Sequence, residues 1–399
     1  MWITAVPVEF ILFGATLLGI AIFHRHTLAV ALAGLALIVV HYLRCACVRG
    51  QSGLAGLWSH LQSEWVLLAN LLLLLTGFAL LARHFEQSRA PLALPAILPQ
   101  GWKGGFALLA VVFVLSAFLD NIAAALIGGA LAHHLFRGRV HLGYVAAIVA
   151  AANAGGAGSV IGDTTTTMMW ISGVRPREVL HAYVAAVVAL VVCGVPASLR
   201  QQRHSPLPRT EHERVRVDTL RIGIVVAVLA VVFAVNVLIN WRHSHWSARF
   251  PFLGMSVWLV LLVAAPLRRP DWTVLPGAFK GSLFLLALVL AATFMPVGAL
   301  PAASWQTALG LGFVSAVFDN IPLTTLALRQ GGYDWGVLAY AVGFGGSMLW
   351  FGSSAGVALV NQFPEGKSVW AWLRQGWHVI LAYVAGLAAV MAVLGWHPR

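Results

Sequence analysis

The chain has 399 residues, of which 60% are hydrophobic and only 10% are charged, and its mean hydropathy is +0.86. A soluble protein carries about 25% charged residues, so this composition excludes a soluble chain and predicts a polytopic membrane protein. The net charge of +12 comes from basic residues scattered over short loops, where such residues set the topology beside lipid headgroups. No nucleic-acid partner is therefore expected.

Apolar segments follow one another in the same order on either side of a polar linker. The first half has predicted helices near 5–23, 27–43 and 65–83, an Asp-Asn segment at 105–136, a glycine-rich segment at 142–172 and a last helix at 178–198. The second half repeats this order at 220–240, 252–266, 276–297, 303–328, 335–361 and 369–395. We therefore predict an all-α fold with a first repeat at 1–199, a linker at 200–219 and a second repeat at 220–399. The segment 6–23 lacks a basic start and a cleavage site, so we expect a retained helix rather than a signal peptide.

Polar motifs interrupt both halves at membrane depth. Asp120-Asn121 and Asp319-Asn320 each lie in apolar sequence and follow a serine, Ser116 or Ser315, by four positions. A glycine-rich stretch comes next in each half, NAGGAGSVIGDTTTT from Asn153 and GFGGSMLWFGSSAG from Gly343. An ionised carboxylate in a bilayer is costly, so it is retained where it faces a cavity or an ion path.

Two interpretations of these motifs remain open. Carboxylate, amide and hydroxyl oxygens suit a hard cation such as sodium, and the same carboxylate can bind a proton instead. Alternatively, the Asp-Asn pairs only cap helices that restart after a break, and the glycines allow close helix packing. Pairing the glycine motifs places Asp163 opposite Ser353, so any site is asymmetric.

The number of crossings decides the relative orientation of the halves. If each Asp-Asn segment is a re-entrant hairpin, five helices cross in each half and the second repeat is inverted. Most of the 25 basic residues then lie on one side, which is cytoplasmic by the loop-charge rule. The termini are expected outside the cell and the linker inside it.

Intramembrane carboxylates at matching places in two halves predict a secondary transporter. The sequence has no phosphate-binding loop and no nucleophile–base pair, so neither ATP-driven transport nor enzymatic activity is expected, and no cofactor either. The three cysteines have no metal-ligand spacing. A permease for organic anions or arsenite and a membrane assembly subunit without transport remain alternatives.

The motifs SAVFDNIP, NAGGAGSVIGDTTTTMMW and GGSMLWFGSSAGVALV resemble those of the NhaD-type sodium/proton antiporters. Their superfamily also includes arsenite permeases and citrate and dicarboxylate carriers. The resemblance implies a homodimer in a bacterial cytoplasmic membrane, with discontinuous helices, a scaffold part and a moving transport part. The first hairpin has Asn-Ile-Ala where the second has Asn-Ile-Pro, which leaves the transported ion and the stoichiometry open.

The resemblance also implies which residues bind sodium, or another small cation, and protons. These are Asp120, Asn121, Asp163, Thr165, Thr166, Asp319 and Asn320. Residues expected in support are Ser116, Asn153, Gly155, Gly156, Ser315, Gly345, Gly346, Ser353 and Ser354.

Overall fold

The computed structural model describes residues 7–23, 26–48, 53–90, 98–160, 162–206, 216–242, 249–296, 298, 300–318, 320–360 and 362–399. Within these ranges the fold is all-helical and contains no strand. The α-helices are α1 (Val8–Ile22), α2 (Thr27–Val48), α3 (Gly53–Gln87), α4 (Trp102–Ser116), α5 (Asn121–Leu135), α6 (Leu142–Ala157), α7 (Thr164–Ile171), α8 (Pro176–Leu180), α9 (Ala182–His204), α10 (Thr219–Arg242), α11 (Phe252–Ala264), α12 (Leu275–Thr293), α13 (Trp305–Ser315), α14 (Asn320–Gln330), α15 (Trp335–Gly345), α16 (Ser354–Leu359) and α17 (Val369–Val393).

The described part has the helices of a polytopic membrane protein. Five of its helical segments are long and apolar enough to cross a membrane: Thr27–Arg44, Gly53–Gln87, Pro176–His204, Trp272–Thr293 and Val369–Val393. The other apolar segments found among the described residues have 10–17 residues each. Two of these helices, α4 and α5, are the two arms of one segment that is interrupted before Asn121. The third helix, predicted at 65–83, begins at Gly53 instead and so has about three additional turns. The polar residues Ser59 and Gln62 lie in these turns with exposed side chains, so they do not end the helix.

The helices form two packing groups. The first three helices of each half, α1–α3 and α10–α12, pack on one another. The later helices of each half form the second group around α6, α9, α15 and α17. The groups meet where α3 contacts α5 and α7 and where α12 contacts α14. The Asp-Asn and glycine-rich segments of both halves therefore lie together in the second group.

The two glycine-rich helices lie at the centre of the second group. Every residue of α6 and of α15 is buried, as expected for short helices made almost wholly of Ala, Val, Gly and Leu. Each begins with a side-chain cap, since the His141 ring accepts a hydrogen bond from Gly143 and the Asp334 carboxylate accepts one from Val337. Such caps satisfy backbone N–H groups that a buried helix start leaves without partners.

One end of the molecule collects loops near the linker. The Asp218 N–H donates to the Ser88 carbonyl at 2.8 Å, and the Arg83 guanidinium lies 2.9 Å from the Asp271 carboxylate. The Thr273 hydroxyl and, after it, Arg83 hold the pKa of Asp271 at about 2, so this ion pair persists across the physiological range. These contacts fasten the ends of α3, α10 and α12 to one another.

The opposite end collects other loops. The Arg399 guanidinium lies 2.9 Å from the Glu178 carboxylate, and the Arg399 N–H donates to the Tyr333 carbonyl at 3.1 Å. At this end Arg329 of α14 also lies 4.0 Å from Glu64 of α3. Loop residues thus sort into two sets, one near the linker and one away from it.

Each Asp-Asn segment begins and ends close to one place. In the first, the Tyr144 hydroxyl at the start of α6 donates to the Gly105 carbonyl at the start of α4, at 2.6 Å. In the second, the Gln330 amide at the end of α14 donates to the Pro301 carbonyl just before α13, at 2.7 Å. The two ends of each segment therefore lie close together, with a helix break between them.

Candidate functional site

The first helix break follows α4 at the predicted Asp-Asn pair. Residues 117–120 are not helical, and Asn121 begins α5. The Ser116 hydroxyl donates to the Ala152 carbonyl of α6 at 2.5 Å, and in the second half the Ser315 hydroxyl donates to the Val342 carbonyl of α15 at 2.7 Å. Ser116 and Ser315 therefore fasten each break to a buried helix, which is a supporting position.

Asp120 lies at the boundary between the two packing groups. It occupies the residue before α5 without a side-chain capping bond, although its carboxylate lies beside the N–H groups of Asn121 and Ile122. The carboxylate is half-buried. It opens onto a small crevice between α3 and α7, whose other lining residues are Leu71, Leu74, Leu75, Phe78, Thr164 and Thr167.

Asp163 lies inside the protein, next to this crevice. Only 2% of its surface is exposed. As the residue before α7, it accepts hydrogen bonds from the Thr165 N–H at 3.4 Å and from the Thr165 hydroxyl at 2.8 Å. Asp120 is close enough for the two negative charges to repel each other. The Asn121 amide also donates to the Asp163 carboxylate at 3.4 Å.

A chain of amides links this carboxylate to the second half. The Asn121 amide donates to the Asn153 side-chain carbonyl at 3.1 Å. The Asn153 amide donates in turn to the Ser347 hydroxyl at 2.8 Å and to the Ser353 hydroxyl at 3.1 Å. All five side chains of this network are buried: Asn121, Asn153, Asp163, Ser347 and Ser353. The structure thus joins four of the predicted residues and adds Ser347.

Two threonines after Asp163 shape the break. The Thr166 hydroxyl donates to the carbonyls of Ser159 and Asp163. The Thr167 hydroxyl donates to the carbonyls of Val160 and Asp163. Thr166, predicted as a cation ligand, therefore bonds to the loop backbone, whereas Thr165 bonds directly to the carboxylate.

The paired glycines allow close backbone approach. A Cβ on Gly155 would overlap the Phe113 carbonyl of α4, and one on Gly345 would overlap the Gly312 carbonyl of α13. Four glycines in this span predict a weakened helix: Gly155, Gly156, Gly158 and Gly162. The helix does break there, between the end of α6 at Ala157 and the start of α7 at Thr164, while Gly155 and Gly156 themselves still lie in α6. In the second half α15 ends at Gly345 itself.

The second helix break is described only in part. Asp319 lies outside the described residues. Asn320 begins α14, is 4% exposed and accepts a hydrogen bond from the Thr324 hydroxyl through its backbone carbonyl. Ser353 caps α16 by accepting a hydrogen bond from Gly356, and Ser354 is half-buried in the first turn.

Two positions beside the candidate site, Ser347 and Gly343, lie in the quoted glycine-rich stretch but are not among the predicted site residues. Ser347 directly follows the glycine pair, and this position is the only feature of the sequence that indicates a role for it. The indication is weak, because small residues such as serine and glycine are common where helices pack closely. Gly343 faces the carboxylate, because a Cβ built on it would lie 3.2 Å from the Asp163 Oδ2 atom. Matching the two glycine motifs pairs Gly343 with Asn153 and so points to Gly343, whereas the counterpart of Ser347 is Ala157 and gives no signal. In the described residues no cluster of three or more His, Cys, Asp or Glu side chains forms a metal centre.

Comparison with known proteins finds relatives that are named as antiporters. No family profile matches the sequence. The chain is 28% identical over 334 residues to "Sodium/proton antiporter 1" of Arabidopsis thaliana, covering 74% of this chain and 56% of that relative. It is 27% identical over 347 residues to "Na(+)/H(+) antiporter NhaD" of Alkalimonas amylolytica, covering 72% and 68%. It is also 27% identical over 320 residues to the NhaD antiporter of Vibrio parahaemolyticus, covering 65% and 72%. The match thus spans little more than half of the first relative's length.

Proposed function

Since this chain is a relative of the NhaD-type sodium/proton antiporters, we propose that it exchanges sodium or lithium ions for protons across a membrane. The membrane proposed is the cytoplasmic membrane of a bacterium, with the linker at 200–219 on the cytoplasmic side and the termini outside. The protein is proposed to act as a homodimer.

The observation that carries this proposal is the buried carboxylate of Asp163. Its hydrogen-bond donors from Thr165 and Asn121 are neutral. The carboxylate of Asp120 also lies close enough to repel its charge. A buried negative charge is unstable unless a positive charge or a proton neutralises it. The site therefore favours a state in which Asp163 holds either a proton or a cation.

Competition at the carboxylates accounts for exchange. Asp120 and Asp163 repel each other when both are ionised, so a cation between them is stabilised by both charges. Protonation of either carboxylate removes part of that attraction and releases the cation. Because one set of oxygens serves both ions, uptake of one drives release of the other without a further coupling device. The crevice beside Asp120 provides a route between the two packing groups.

The architecture proposed is a pair of inverted repeats, 1–199 and 220–399. Three observations support it. Each Asp-Asn segment starts and finishes at the same end of the molecule, and the two segments use different ends. The first does so near Arg139, which bonds through its carbonyl to Gln201 beside the linker at 3.0 Å. The second does so near Tyr333, at the opposite end. Two hairpins that enter from opposite sides are what five crossings in each half require.

The site proposed combines both hairpins and both broken helices. Its ion-binding residues are Asp120, Asn121, Asp163 and Thr165 from the first half, with Asp319 and Asn320 from the second. Thr166 is proposed to hold the loop backbone beside these residues, because its hydroxyl bonds to the Ser159 and Asp163 carbonyls. Half-helix starts and unwound carbonyls at mid-membrane are the usual surroundings of a transporter's ion site.

Everted vesicles containing the full chain and a pH-sensitive dye test this function. Addition of sodium or lithium is expected to release protons from energised vesicles. Asp163→Asn keeps the size and the capping acceptor but removes the titratable charge, so exchange should be lost while membrane insertion persists. Glu365→Gln is the matched control, since Glu365 is exposed in a turn away from the site, and exchange should continue at the wild-type rate.

Other outcomes identify other functions. Uptake of citrate or arsenite without cation-dependent proton release would show a permease. Silence toward all solutes would favour an assembly subunit without transport. Wild-type exchange by Asp163→Asn would mean that this aspartate only caps α7.

A further inference from the structure

Asn153 and Gly343 hold the same place in the two halves. Ser116 bonds to the carbonyl of the residue before Asn153, and Ser315 bonds to the carbonyl of the residue before Gly343. By the same pairing, Asp163 corresponds to Ser353, since each caps the helix that restarts after the break in its glycine-rich segment. Here the first break means the one between α6 and α7, and the second break means the one between α15 and α16. The halves therefore differ at two matched positions, a capping residue and a central residue.

Each central residue faces the cap of the other half. Gly343 of the second half lies beside the Asp163 carboxylate, since a Cβ added to Gly343 would lie 3.2 Å from the Asp163 Oδ2 atom. Asn153 of the first half lies beside Ser353, with its amide nitrogen 3.1 Å from the hydroxyl oxygen. One break thus pairs a carboxylate with a glycine, and the other pairs a hydroxyl with an amide.

Both N–H groups of the Asn153 amide donate at the second break. Its two N–H groups go to Ser347 and Ser353, at 2.8 and 3.1 Å, and its carbonyl oxygen accepts from Asn121. Asn153 and Ser347 are fully buried and Ser353 is 1% exposed. An amide nitrogen that donates to two hydroxyl oxygens stands where a small cation would contact them, and it carries partial positive charge. A sodium ion would have to break both bonds and gains no carboxylate among these three side chains.

We propose that the Asn153 amide permanently fills the place between Ser347 and Ser353, so that no cation binds there and each chain holds one cation, at the site that includes Asp120 and Asp163, instead of one in each half. The proposal rests on the cation/proton exchange proposed above and adds its cation stoichiometry. It assigns Asn153 a specificity role, because its amide takes the place of an ion. Gly343 has the converse role, since its lack of a side chain keeps the equivalent space beside Asp163 open.

Sodium titration calorimetry of the full chain, purified in detergent at alkaline pH, tests this stoichiometry. The wild type should bind one sodium ion per chain. Asp163→Asn should bind none, although size-exclusion chromatography should show it folded. Asn153→Asp keeps the shape and the acceptor for Asn121 but replaces the donor by a carboxylate facing two hydroxyls. It should bind a second sodium ion.

Each arm has an outcome that overturns the proposal. Two sodium ions per wild-type chain would show that the second break binds a cation despite the amide, and one ion remaining in Asp163→Asn would show that the single cation does not need Asp163. A single ion in folded Asn153→Asp would show that the amide is not what excludes the second cation. If Asn153→Asp does not fold, the first two arms still decide. If the wild type binds no sodium and releases no protons in vesicles, the exchange function itself fails, which the vesicle assay shows separately.

Discussion

At the residue scale, Asp163 combines two roles that are compatible in one carboxylate. It accepts hydrogen bonds from the Thr165 N–H and hydroxyl, and it carries a charge beside the first turn of α7. The positive end of a helix dipole favours an anion there. The capping interpretation and the ion-binding interpretation of the sequence therefore do not exclude each other. An asparagine in its place retains the first role and loses the second.

Gly343→Ala separates binding from folding at this site. The added methyl group would lie 3.2 Å from the Asp163 Oδ2 atom, so it displaces the carboxylate and shields it from a cation. We expect sodium affinity to fall about tenfold, which corresponds to about 1.4 kcal/mol. Helix stability should not suffer, because alanine in a helix interior is favoured over glycine by about 1 kcal/mol. The measurement is the sodium concentration for half-maximal proton release.

Gly310→Ala in α13 is the matched control. It makes the same change in a helix where nothing lies within 4 Å of the new Cβ. Its sodium dependence should equal that of the wild type. Equal sodium dependence for Gly343→Ala would remove Gly343 from the site.

The residue types of the site could be predicted from the sequence, but their partners could not. Asp120, Asp163 and Asn121 are conspicuous because polar side chains are rare in apolar segments. The bond from Asn153 to Ser347 joins positions far apart in the chain, and no local pattern reports it. Thr166 shows the limit of the approach, since its oxygen type suits a cation while its bonds go to the loop backbone.

At the element scale, backbone approach decides how the breaks are held. Gly155 of α6 touches the backbone of α4, and Gly345 of α15 touches that of α13. Each contact lies one turn from a serine that bonds across the same pair of helices. Glycine and serine together therefore hold each broken segment against a buried helix, and so set the position of Asp120.

Gly155→Ala should destabilise the protein. Its Cβ would overlap the carbonyl group of Phe113, which is backbone and cannot rotate away. Overpacking of this kind costs about 1–3 kcal/mol, more than the helix propensity gained. We expect a lower apparent melting temperature in detergent, by a few degrees. Gly281→Ala in α12, with open space around its Cβ, should leave the melting temperature unchanged or raised, and a similar result for Gly155→Ala would contradict close packing.

Element order could be predicted because hydrophobic runs and polar breaks mark it directly. The Asp-Asn pairs stand where α5 and α14 begin. Helix ends are harder to predict from the sequence, as α3 shows by starting twelve residues before the predicted position 65. In a helix that packs on several neighbours, a few polar residues can face outward without ending it, so composition alone does not locate its start.

At the scale of the whole molecule, long-range contacts agree with one assignment of loops to two sides. Asp218 beside the linker bonds to Ser88 and Arg268. At the other end, Arg399 bonds to Glu178 and Tyr333. Five crossings in each half place every one of these pairs on a common side. Six crossings in each half would reverse the second half and separate Tyr333 from Glu178.

Cysteine labelling tests this orientation directly. In a background without the native cysteines, Gln100→Cys marks the entry to the first hairpin and Ala302→Cys the entry to the second, and both positions are exposed. A membrane-impermeant maleimide added to intact cells should label Ala302→Cys and spare Gln100→Cys. In everted vesicles the pattern should reverse. Arg203→Cys, exposed next to the linker, should follow Gln100→Cys. Labelling of Gln100→Cys and Ala302→Cys from the same side would mean that the halves are parallel, and the two hairpins could not then approach the site from opposite faces.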